Sequence, residues 1–137
     1  MSLKLSKNNT KAYDYVSIGD NSNPISVSVI IDKVGGTKTS APIQIYLIAS
    51  QEGNTNIGNY SSIVLTAVNP NSDITWQMSV NDVDWVTTLS PATMTCNDSD
   101  SILPIKVRTV ANNAVTTSLD TMKYYSNITV EAVENPA

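Results

Sequence analysis

Four features of this 137-residue chain combine residue type and spacing that could do chemistry: the carboxylate pairs Asp82/Asp84 and Asp98/Asp100, the lone thiol Cys96, the oxygen-rich turns "NDVD" and "NDSDS", and the tryptophans Trp76 and Trp85. Paired carboxylates hydrolyse glycosides, one as acid and the other as base or nucleophile. Both pairs stand in polar turns, where carboxylates are solvated, and a glycosidase also needs a cleft that a domain this small rarely provides. A Ser or Cys nucleophile needs a neighbouring base, and the chain has no histidine. Cys96 therefore reads as a small buried hydrophobe. The two turns offer the oxygens calcium prefers but lack the EF-hand spacing and its terminal Glu, so their Asn and Asp are read as turn-stabilising. With no histidine and a single cysteine, the usual zinc sites and an internal disulfide are excluded. The expectation is a protein without catalytic residues, metal or cofactor.

The tryptophans stand nine positions apart in a chain that contains no phenylalanine. Alternation over Ile74 to Val80 places Ile74, Trp76, Met78 and Val80 on one face of a strand and Thr75, Gln77 and Ser79 on the other. Trp76, Met78 and Val80 are therefore assigned to the structural core. After the "NDVD" turn, Trp85 would start a return strand and share a face with Thr87 and Leu89. A ring at a strand end either closes the core's edge or stays exposed. Core closure is the favoured reading for Trp85, and it is also the candidate ligand or contact residue of the two.

The elements that must carry these residues are strands. Period-2 alternation recurs along the chain and no helical periodicity competes with it. "PISVSVIID" and "APIQIYLIAS", separated by "GGT" at Gly35 to Thr37, predict a hairpin. Further strands are expected at "YSSIVLTAV", Ile74 to Val80, Trp85 to Leu89, Met94 to Cys96, Ile102 to Val110, and Tyr124 to Val133 as the last. Pro104 marks an edge, a bulge or a strand start. Seven to nine short strands with frequent turns predict an all-β, antiparallel sandwich. The expected core contains Val27, Val29, Ile45, Leu47, Val64, Trp76, Met78, Ile105, Val107, Ile128 and Val130. Residues 1–12 read as a polar N-terminal arm, or a frayed end, and 13–137 as one sandwich domain. The stretch from Asn112 to Tyr125 breaks the alternation and reads as a long loop.

Charge narrows the partners. Eight basic residues scattered from Lys4 to Lys123 against twelve acidic ones give a net charge of -4. Nucleic acid is not expected, since neutralising a phosphate backbone needs clustered cations. No apolar run is long enough to span a bilayer and "MSLKLSKNNT" has no apolar leader region, so neither a membrane span nor a signal segment is expected. Sequons at Asn8, Asn59, Asn97 and Asn127 are expected by chance in a chain this rich in Asn, Ser and Thr.

From Ile74 onward, "ITWQMSVNDVDWVTTLSPATMTCNDSDSILPIKVRTVANN" followed by "YYSNITVEAVE" resembles the BACON-type immunoglobulin-like domains found in Bacteroidetes proteins and their phages. The likeness covers roughly the second half of the chain and includes no catalytic motif. The chain departs from that pattern at Ala92 to Asn97 and in the length of the segment from Asn112 to Tyr125, and no binding residue carries over. The small acidic sandwich with a polar arm also resembles accessory virion proteins of tailed phages, decoration proteins of the head above all. These resemblances imply an immunoglobulin-like β-sandwich serving as a non-enzymatic capsid decoration protein, assembled in the host cytoplasm into the virion. Its expected partners are other virion proteins, the major capsid protein first, with self-association into a homo-oligomer as a further expectation. The alternative implied by the resemblance is a carbohydrate-binding adhesion module with a glycan partner.

Overall fold

The computed structural model describes residues 2–9, 18–20, 22–31, 37–50, 58–68, 74–96, 101–112 and 120–136, and all regular structure among them is β. The strands are β1 (Ser2–Ser6), β2 (Ile25–Ile31), β3 (Thr37–Thr39), β4 (Ile43–Ser50), β5 (Asn59–Ala67), β6 (Ile74–Ser79), β7 (Thr88–Leu89), β8 (Met94–Thr95), β9 (Ile102–Asn112), β10 (Asp120–Ser126) and β11 (Ile128–Asn135). Every pairing among them is antiparallel. Eleven strands among the described residues exceed the expected seven to nine because Ser2–Ser6 in the segment read as an arm is strand β1, the three-residue β3 is a further fragment, and the expected last strand divides in two. The antiparallel β-sandwich itself is as the alternation predicts.

The largest sheet is built on β9. One flank of β9 pairs with β4 and, further along, with β3; the other pairs with β6. The gap between β3 and β4 is closed by Ser40, whose N–H donates to the Thr109 carbonyl while its Oγ accepts from the Thr109 N–H, both at 2.9 Å. Pro104 pairs with Tyr46 in the part of β9 that β6 does not reach, so its missing donor disrupts no second ladder. A second sheet joins β11, β5, β7 and β8, and a two-stranded sheet joins β2 and β10. These two are covalently continuous through Asn127, whose carbonyl accepts from the Val68 N–H at 2.9 Å.

One contiguous core takes side chains from all three sheets, including Val27 and Val29 of β2, Ile45 and Leu47 of β4, Ile63 and Leu65 of β5, Trp76 and Met78 of β6, Ile105 and Val107 of β9, and Ile128 of β11. Burial of these branched and aromatic side chains is the main favourable term, at roughly 25 cal/mol per Å² of apolar surface.

Four expectations are corrected. The segments read as a hairpin do not pair: β2 lies against β10, and β4 lies between β1 and β9. Alternation specifies which face of a strand is dry and leaves its neighbour open. Val64 is only half-buried, because Ser62, at φ 51°, is an extra residue in β5 where Ala132 is skipped in the register with β11. That bulge turns Tyr60 and Ile63, three apart, to the same side and sends Val64 to the other. Val80 is 50% exposed, since β6 ends at Ser79 and the inward alternation ends with it. The segment read as a long loop contains β10 from Asp120, its earlier part 113–119 lying outside the described residues. Val130 is partly buried and packs against the core. Of the polar arm, Ser2–Ser6 is strand β1, paired with β4 and burying Leu5. The "GGT" glycines, the Asn69 to Asp73 turn and the Asp98/Asp100 pair lie outside the described residues.

Candidate functional site

The outer face of the β6–β9 ladder and the turn that follows β6 bring together the residues with the greatest functional potential. The alternation that sends Ile105 and Val107 inward sends Lys106 and Arg108 outward, and the register sets Arg108 opposite Gln77. Arg108 Nε–H donates to Gln77 Oε1 at 2.9 Å.

The turn is tied down by Asn81. Its Oδ1 accepts from the N–H groups of Val83 and Asp84 at 2.9 and 2.8 Å, and from the Ser79 hydroxyl at 3.0 Å. Its Nδ2 donates to Asp84 Oδ2 at 2.7 Å. A side-chain amide satisfying two backbone donors is what makes Asn a turn residue. Asp82 takes a φ of 64°, a left-handed conformation that Asp tolerates better than branched residues, and its carboxylate forms an ion pair with Lys106. Beyond the turn, Val86 and Met78 exchange two backbone hydrogen bonds at 2.8 and 2.9 Å. The chain then leaves β6 and continues as β7 on β5, so this segment bridges two sheets.

Trp85 sits between the turn and that bridge. It is half-buried, it is not among the core side chains, and the Arg108 guanidinium carbon lies 4.0 Å from the centroid of its ring. The expected shared face with Leu89 does not form, because Leu89 is buried from the β5 side while Thr87 is exposed. Trp76, by contrast, is fully buried, as is Met78. The turn also exposes three apolar side chains, Val80 at 50%, Val83 at 77% and Val86 at 38%. Between it and Gln44 and Pro104 runs a shallow groove of about 250 Å³ floored by Lys106.

Asp82 and Asp84, the pair that could serve acid–base chemistry, are thus committed to Lys106 and to the Asn81 amide on an exposed turn. Among the described residues no three His, Cys, Asp or Glu side chains are grouped to hold a metal ion. Cys96 is fully buried, and burial pushes its thiol pKa up, with the Glu134 carboxylate adding to the rise. Arg108 is legible in "IKVRT" only as one of two outward cations alternating with Ile and Val, with nothing local to mark its contact with Trp85. Tyr125 was missed as an exposed ring: it is 52% exposed beside Pro24 and Val68, on the outer side of β10.

No family model, curated protein or solved structure matches this chain.

Proposed function

We propose that the protein is a non-enzymatic virion structural protein, a head decoration protein that attaches to the capsid lattice through the turn between β6 and β7. The observation that carries this reading is the pairing of rigidity with apolar exposure at that turn. Val80, Val83 and Val86 face solvent on a segment pinned by Asn81, Lys106 and the Met78–Val86 bridge. Exposed branched apolar side chains on one short segment favour burial against another surface. Holding it rigid beforehand lowers the ordering cost of binding. The phage setting and the major capsid protein as partner come from the resemblance of the second half of the chain. Mass spectrometry of purified particles tests this: the expected result is the protein at a stoichiometry matching a lattice position, with Val83→Asp lost from particles. Parent protein found in lysate and absent from particles sinks the reading.

A carbohydrate-binding adhesion role is the second reading, favoured by the exposed Tyr125 ring beside Pro24 and Val68. Trp85 suits it less, because a guanidinium already occupies one side of that ring. Glycan-array binding that Tyr125→Ala abolishes and Val83→Asp leaves intact would put this reading first.

A further inference from the structure

We draw no further inference here: the strongest candidate, the apolar surface groove between the β8 segment and the start of β9, lined by Pro91, Ala92, Met94, Ile102 and Leu103, carries none because nothing in the structure shows what covers it.

Discussion

Trp76 and Trp85 are nine residues apart on either side of one turn, and their surroundings are opposite. Trp76 lies on the inward side of β6, between Ile74 and Met78 in the alternation, and none of it reaches solvent. Trp85 comes back on the outer side, where a guanidinium lies over its ring. The same side chain thus contributes apolar area in one place and the orientation of a charge in the other. An aromatic ring can do both because it combines a large apolar body with an electron-rich face. In the β6–β9 ladder the inner face joins the apolar core, and the outer face carries polar and charged contacts.

The sharpest way to break this comparison is to truncate the inner ring. Trp76→Ala should cost ~3–5 kcal/mol, a large part of the ~5–15 kcal/mol that stabilises a small domain. Thermal melts should show a fall of roughly 10 °C or more, or an insoluble product. A variant melting like the parent would mean that the inner face is not the stabilising one. Trp85→Ala should cost less, about 1 kcal/mol from the lost cation–π contact and partial burial, and a shift of a few degrees. If Trp85→Ala destabilises as much as Trp76→Ala, the division between the two faces fails.

A smaller effect sharpens the inner side of the comparison. Burial raises the Cys96 thiol pKa in the folded state, so the unfolded chain, at about 8.5, releases that proton first as pH rises. The corresponding stability is fully present below about pH 8.5 and is lost as pH climbs towards the folded value. Urea midpoints at pH 7 and at ~9.5 should fall further for the parent than for Cys96→Ala. An identical fall in both proteins would show that water reaches the thiol.

The inward faces of the strands were legible in the amino-acid order. Val27 and Val29, Ile45 and Leu47, Trp76 and Met78, Ile105 and Val107 stand two positions apart in their strands, and all are buried. That signal is local, because a pleated strand turns successive side chains to opposite faces whatever lies beside it. The candidate site was legible in part: Trp85 stood out by type, while its partner Arg108 lies more than twenty positions away and is joined to it by register alone.

What the chain decided by itself is the strand class, the face each strand buries and the positions where turn chemistry interrupts it, Asn81 above all. The tertiary structure alone decided which strands are neighbours, separating β2 from β4 and dividing the last expected strand between two sheets at Asn127. It also decided the local reversals, Val64 at the Ser62 bulge and Val80 past the end of β6. Strand partnership and bulges follow from backbone hydrogen bonds between distant segments, and those donors and acceptors are the same for nearly every residue type. The pairing of Arg108 with Trp85 has the same origin: it exists because β9 lies beside β6, a contact that neither segment specifies alone.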